Sequence, residues 1–275
     1  MKLQQTSVRR ANWQVAESAM PGPDREAFQS LGALLRLPMK QVTRDRRSGV
    51  SRLSLQLVYY VKTFTGRGSR LKHWLGISRY QREVRNLQYF NALGLATPPL
   101  VAHGHQSRCG LLQRAVLVTA EVQTATDLEQ IMHRGTLYAD GVSGARAILG
   151  KLARATRLLH RDGFYHKDLK PRNVLVGSQL NEPQLYFFDC PSGHHPPRFM
   201  LRRGIVRDLA HLEDGLRGYV RSVDLLYMYK QYRACETLSE QDKALARDAL
   251  AYYSKRRMTR KRRLREERKQ SRESG

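Results

Sequence analysis

His160-Arg161-Asp162-Gly163-Phe164-Tyr165-His166-Lys167-Asp168-Leu169-Lys170-Pro171-Arg172-Asn173-Val174-Leu175-Val176 is the stretch from which the rest of the chain can be read. Upstream of it, residues 144–161 carry Ile148, Leu152, Ala155, Leu158 and Leu159 as an apolar stripe at helical spacing. The stretch therefore opens as the end of an amphipathic helix, and Gly163 is expected as its left-handed cap. A polar loop follows, and the short apolar run Val174–Val176 closes the corner as a strand.

The polar residues of this loop suit phosphoryl transfer. The protein-kinase catalytic loop reads H-R-D-L-x-x-x-N, and His166 to Asn173 read H-K-D-L-K-P-R-N, departing only at Lys167. In that arrangement Asp168 would accept the proton of an attacking hydroxyl and orient it. Asn173, five residues on, would turn back to hold Mg²⁺ between the phosphates. Lys170 sits between them and could neutralise charge on the moving phosphoryl group, with His166 as a packed scaffold residue. The plainer alternative is a corner whose polar side chains only cap and turn.

Downstream, Tyr186-Phe187-Phe188-Asp189-Cys190 ends a second short strand in Asp189, sixteen residues after Asn173. Kinases place a metal-binding Asp there, in D-F-G; here Cys190 and Pro191 follow it. Between the two strands, Gly177 to Pro183 has the composition of a hairpin turn. Upstream, Leu53 to Thr65 reads as one strand, with Leu53, Leu55, Leu57, Tyr59 and Val61 alternating. Lys62 occupies the V-A-I-K position that pairs the α- and β-phosphates, although an edge-strand lysine is the bland reading. Glu83, 21 residues on, falls on a helix expected over 77–93 and would fix the Lys62 ammonium. G-x-G-x-x-G is absent. Gly49 is the one glycine of the basic turn Arg46–Arg52, where backbone N–H groups and arginines could cover phosphates. Pro21-Gly22-Pro23-Asp24 is a breaker cluster, with Asp24 expected to N-cap a short helix through Leu35. Leu111–Val122 reads as a further strand, and from about residue 205 the pattern is helical.

Strands with one helix, then mostly helices, make an α+β chain with segregated lobes. The expected division is an N-terminal extension over 1–41, a small β-rich N-lobe over 42–122, a larger helical C-lobe over 123–253 and a basic tail over 254–275. This constellation resembles the protein-kinase-like superfamily. More closely, it is similar to the bacterial lipopolysaccharide core kinase family, with its heptose and Kdo kinases and InaA-type relatives. The resemblance runs from about Val42 to Ala251. It rests on Tyr59-Tyr60-Val61-Lys62, Glu83 with Leu87 and Gly94, the hinge-like Leu117–Val122, the catalytic loop, Phe188-Asp189, and Arg207-Asp208-Leu209-Ala210-His211-Leu212, which is similar to the family's R-D-L-A-x-L. As in that family, A-P-E is missing and only about eighteen residues separate Asp189 from Asp208.

The resemblance implies a bilobal protein-kinase-like fold with ATP and Mg²⁺ as cofactors. Thr119 would guard the back of the adenine pocket, Ala120 C=O and Val122 N–H would bond the adenine edge, and Asp208 would buttress the catalytic-loop backbone. The implied acceptor is a sugar of the lipopolysaccharide core or its lipid-linked precursor, met at the cytoplasmic face of the inner membrane. A small atypical protein kinase and a catalytically silent scaffold of the same fold stay open at this point.

The charge bears on partners. The 275 residues hold 49 Lys and Arg against 24 Asp and Glu, a net of +25. Ser254–Gly275 alone carries eleven Lys or Arg against three Glu, so +8 of the surplus is in the tail. Attachment to an anionic inner-membrane surface is one expectation for it, and a solvated helix end is the other. Nucleic acid is not expected, since no basic stripe is interleaved with aromatics. Cys109, Cys190 and Cys235 are far apart with no CxxC, which argues against a disulfide framework or a zinc site. No signal-peptide core and no membrane-length apolar stretch is visible, so a cytoplasmic protein is expected. Oligomeric state is not readable.

Overall fold

The strand that carries Lys62 lies inside a six-stranded antiparallel sheet. Its members are β1 (Arg9–Val15), β2 (Lys40–Arg44), β3 (Ser48–Ser54), β4 (Val58–Thr65), β5 (Leu100–Arg108) and β6 (Leu111–Ala120), in the order β1-β5-β6-β4-β3-β2. The computed structural model describes residues 9–16, 19–45, 48–65, 78–108, 111–177 and 182–254. They divide into two units. The first takes the described residues up to Ala125 together with Tyr186–Ser192, and the second takes Thr126–Leu185 and the residues from Gly193 onward.

In the first unit, side chains alternate across the sheet. Tyr59 and Val61 of β4 enter a core with Leu53, Val101, Val116 and Val118. Phe64 enters a second core with Ala115 and Leu117, covered by Tyr80, Val84 and Leu87 of α2 (Arg79–Ala92). Residues of the N-terminal extension complete the first core. Met20, Phe28, Leu31 and Leu34 are buried in it, the last two from the short α1 (Leu31–Leu34). Trp13 Nε1 donates to Phe28 C=O at 2.7 Å, and β1 pairs with β5 from Arg9↔Arg108 to Val15↔Ala102.

Three expectations are corrected here. Leu53–Thr65 is two strands, not one: the chain reverses at Leu55–Leu57, where Leu55 N–H bonds Leu57 C=O at 2.9 Å, and Ser54 then pairs with Val58. Asp24 does not cap a helix. It is buried, and its carboxylate accepts from Gln56 N–H (3.0 Å), Leu57 N–H (3.1 Å) and the Tyr59 hydroxyl (2.6 Å). Three donors offset the cost of taking the carboxylate out of water and hold the turn shut. The cap of α1 is Ser30, whose side chain accepts from Ala33 N–H at 3.0 Å. The segment expected as a basic turn over Arg46–Arg52 is strand from Ser48 onward, so Gly49 lies within β3 and not in a turn. Its Arg46 and Arg47 lie outside the described residues, as do Ile77, Cys109 and the tail beyond residue 254.

The second unit begins with β7 (Thr126–Asp127) and α3 (Leu128–His133). It continues through α4 (Gly141–Arg161) and β8 (Val174–Val176) to β9 (Leu185–Phe187), where the chain passes back to the first unit. It ends with α5 (Arg198–Leu216), α6 (Ser222–Arg233) and α7 over 240–254. The helix expected over 144–161 starts three residues earlier. Its stripe is buried at Ile148, Leu152, Ala155 and Leu159, while Leu158 faces outward. Gly163 caps it at φ +79°. β8 pairs with β7, and beyond β8 Gly177 N–H bonds Gln184 C=O across the turn expected there. Helices α4 and α6 are tied by a buried carboxylate. Asp224 accepts from Arg221 (2.6 Å), Arg146 (2.8 Å) and Tyr138 (2.9 Å). The Arg221 bond, ahead of the opposing effect of burial, holds its pKa down at about 2. Among the described residues no helix is long and apolar enough to cross a membrane.

Candidate active site

Period-two alternation decides where Lys62 points. It shares the helix-facing side of β4 with Phe64, whose ring centroid lies 5.4 Å from its Nζ. On α2, Tyr80, Glu83, Val84 and Leu87 recur at three- and four-residue spacing and form the buried face. The helix is set by a capping box, in which Ser78 accepts from Gln81 N–H and the Gln81 side chain returns to Ser78 N–H. Lys62 Nζ therefore meets Glu83 through both oxygens, at 2.6 and 2.9 Å. Its third partner is Asp189 Oδ1, at 2.6 Å. Burial alone would pull the Lys62 pKa down; Glu83 and Asp189 outweigh it and hold it above the ordinary lysine value.

Asp189 is brought there by its own segment of the first unit. Phe187 N–H bonds Ala96 C=O at 2.9 Å, and the Phe187 ring meets Phe90 of α2 edge-on at 6.4 Å. Asp189 itself has φ +54°, a conformation uncommon outside glycine that concentrates at functional sites. The next residue is fastened by the Glu83 helix, since Asn86 Nδ2 donates to Cys190 C=O at 2.6 Å. The Cys190 thiol is buried. The departure from D-F-G thus has a structural role: Cys190 fills a buried position and its carbonyl is held, one helical turn on from Glu83. Sequence reasoning did not find Asn86, although its i+3 spacing from Glu83 was visible.

The residues assigned to nucleotide contacts fall on and just beyond two strands that flank β4 in the same sheet. Gly49 lies in β3 opposite Thr63 and Arg44, where an added Cβ would meet Thr43 C=O at 3.5 Å and Thr63 Oγ1 at 3.6 Å. Thr119 and Ala120 end β6 opposite Tyr60 and Tyr59. The Ala120 N–H is committed to Pro99 C=O and the Glu121 N–H to Val58 C=O. Val122 follows directly, its C=O accepting from Ala125 N–H. Glu121 takes a bond from the Tyr60 hydroxyl at 3.0 Å and lies 3.9 Å from Arg52.

In the second unit, one face of α5 supports the loop of Asp168. Gly204, Asp208, His211 and Gly215 recur at intervals of four, three and four, and so lie on one face. A Cβ on Gly204 would sit 2.5 Å from the Tyr165 ring, and one on Gly215 would sit 2.5 Å from Pro171 Cδ, so both glycines are needed for the loop to approach. Between them the fully buried Asp208 accepts the backbone N–H groups of His166 (2.5 Å) and Lys167 (2.8 Å). His160 Nε2 lies 3.4 Å from the same carboxylate, and its Nδ1 meets the Tyr232 hydroxyl at 2.9 Å. Lys167 has φ +71°, so the two N–H groups bend toward one acceptor across a strained residue, and Asp168 projects from the next position.

Asp168 is about a third exposed. Lys170 Nζ lies 2.7 Å from its Oδ1, Arg172 3.9 Å from its Oδ2, and His211 Nδ1 3.8 Å from Oδ1. Burial pushes the Asp168 pKa up, but the Lys170 ammonium, with Arg172 beyond it, brings it below the ordinary carboxylate value. Asn173 sits in the turn Pro171–Asn173 and donates Nδ2–H to Asp168 C=O at 2.8 Å, which turns the amide oxygen away from the loop. Asn173 and Asp189 each supply one hard oxygen donor. Among the described residues no three His, Cys, Asp or Glu groups gather to hold a metal alone. Oxygens of this kind, taken one unit at a time, suit Mg²⁺, which takes one or two protein oxygens and completes its shell with phosphates and water.

Comparison with known proteins agrees with this architecture. The model of the "Lipopolysaccharide kinase (Kdo/WaaP) family" matches residues 39–244. A solved structure described as "WaaP in complex with acyl carrier protein" has the same fold, with a TM-score of 0.66 at 19% identity over 89% of this chain and 97% of its own. No curated protein matches by sequence. The family match takes in the lysine strand, the Glu83 helix, the Asp168 loop, Asp189 and α5, and on that footing the chain belongs to the lipopolysaccharide kinase (Kdo/WaaP) family.

Proposed function

We propose that this phosphotransferase uses ATP and Mg²⁺ to phosphorylate a sugar hydroxyl of the lipopolysaccharide inner core. The observation that carries the reading is the Lys62 ammonium gripped by Glu83 and Asp189. A buried lysine fixed by a helix carboxylate, with a second carboxylate against it, is what α- and β-phosphate binding beside a metal requires.

In this reading Lys62 binds the α- and β-phosphates and Glu83 keeps it oriented. Thr119, Ala120 and Val122 meet the adenine, and Gly49 covers the phosphates. Asp189 and Asn173 would hold Mg²⁺, which would supply neutralisation of the phosphate charge. Asp168, ionised well below neutral pH, accepts the acceptor hydroxyl's proton as its oxygen bonds to phosphorus. Lys170 swings from Asp168 to the transferring group.

The surplus of +25 suits an acceptor rich in acidic sugars and phosphates, met at an anionic inner-membrane surface. The same charge suits an acidic protein partner. The test is incubation with labelled ATP plus either purified core glycolipid or a protein panel. Labelled glycolipid is expected; label on proteins and never on glycolipid would refute the acceptor assignment.

A further inference from the structure

His211 has no part in the roles assigned so far. Its imidazole lies on α5 one turn beyond Asp208, 4% exposed, and among the described residues Nδ1 has no hydrogen-bond partner. A buried polar atom left unmatched is costly, and where one persists a function is the first place to look. The atom that Nδ1 faces is Asp168 Oδ1, at 3.8 Å.

The ring is held from behind. Tyr253 stacks on it, with centroids 6.0 Å apart and planes 26° apart, and Tyr252 meets it edge-on at 6.4 Å. Both tyrosines belong to α7 and lie past residue 244, where the match to the family ends. The charged groups around His211 are Arg207 and Asp208 from its own helix and Asp168 and Lys170 from the loop. Burial first, then Arg207, brings its pKa down to about 4, so at neutral pH the ring is uncharged and can donate one N–H.

Given the reading of Asp168 as the base, we propose that His211 is a positioning residue whose Nδ1–H holds Asp168 Oδ1 during transfer, with Tyr253 of the C-terminal helix fixing the ring. Lys170 occupies that same oxygen at 2.7 Å. When its ammonium turns to the phosphoryl group, Oδ1 loses its partner and His211 is the buried donor beside it. The carboxylate then has to close less than 1 Å, the kind of tightening that catalytic hydrogen bonds undergo with substrate.

The experiment compares His211→Leu, His211→Asn, Tyr253→Leu and Tyr253→Phe in the full chain, with Asp168→Asn alongside. Asn places an N–H near the position of Nδ1, and Leu places none. Leu at 211 should lower kcat about 10- to 100-fold, the worth of a hydrogen bond to a charged group, with KM for ATP unchanged. Asn should restore most of the rate. Tyr253→Phe should behave as native, and Tyr253→Leu should lower kcat part of the way, again with KM for ATP unchanged. Native kcat in His211→Leu, or an Asn variant no better than Leu, overturns the proposal. If the Leu variant does not fold, a native kcat in Tyr253→Leu overturns it. If Asp168→Asn turns over normally, the reading of the base fails first; if it is dead while His211→Leu is native, only this inference falls.

Discussion

The Lys62 cluster and the Asp168 loop hold their charged groups in opposite ways. In the first, charges hold one another: the Lys62 and Glu83 side chains are 14% and 3% exposed and in direct contact. In the second, the charged side chain is about a third exposed and its cation partners, Lys170 and Arg172, also reach solvent, so the pairs contribute little to its position. What is buried there is the support: Asp208 beneath two backbone N–H groups, and two glycines that let the loop lie on α5. Under the proposed function the difference has a use: a phosphate-binding cation has to stay put through turnover, whereas the base and Lys170 have to exchange partners.

The difference can be broken at each end. Asp168→Asn should have the largest effect on turnover, a loss of about 10²- to 10⁴-fold, with a melting temperature close to native, read by steady-state kinetics beside calorimetry. Asp208→Asn should lose both activity and stability. It puts a partial donor where two buried N–H groups need an acceptor, at about 3 kcal/mol by denaturant titration; native stability there would mean the loop is not held from α5. Glu83→Gln leaves the Lys62 ammonium half paired. It should raise the KM for ATP more than that for the acceptor, at a stability loss of about 3 kcal/mol. Gly215→Ala should cost about 1–3 kcal/mol, as overpacking against Pro171 does, and lower kcat without changing ATP affinity. The smallest effect is expected from salt. Raising it should increase the acceptor KM more than the ATP KM, because exposed cations are screened before the buried Lys62.

Much of this contrast was legible in the sequence, for reasons that differ by residue. Lys62 and Glu83 were found because strand and helix periods both place them on buried faces. Asp168, Asn173 and Asp189 stood out by their spacing in the sequence, and their roles rest on the proposed function. The reversal at Leu55–Leu57 was not, because the alternation of Leu53, Leu55, Leu57 and Tyr59 runs unbroken through the turn. Its clamp, Asp24, arrives from thirty residues upstream. Asp24 was misread because a carboxylate beside Pro and Gly usually serves a local turn. The edge strand Arg-Arg-Ala-Asn-Trp-Gln-Val has one large apolar residue in its middle, and its pairing with β5 spans about ninety residues, beyond any local pattern. His211 lay in plain view inside a quoted motif, but its importance rests on Tyr253, which only tertiary packing brings to it.

The first unit is also discontinuous: Tyr186–Ser192 returns to it after the sixty residues of 126–185. During synthesis the nascent sheet can bury Tyr59 and Val61 early, yet Phe90 waits for Phe187 and Lys62 waits for Asp189 until the Asp168 loop has already emerged. The second partner of the lysine is therefore delivered last, and a truncated chain that stops short of Phe187 should carry a lysine paired to Glu83 alone. The order of chain emergence thus sets the order in which the two carboxylates of the ion cluster become available to Lys62.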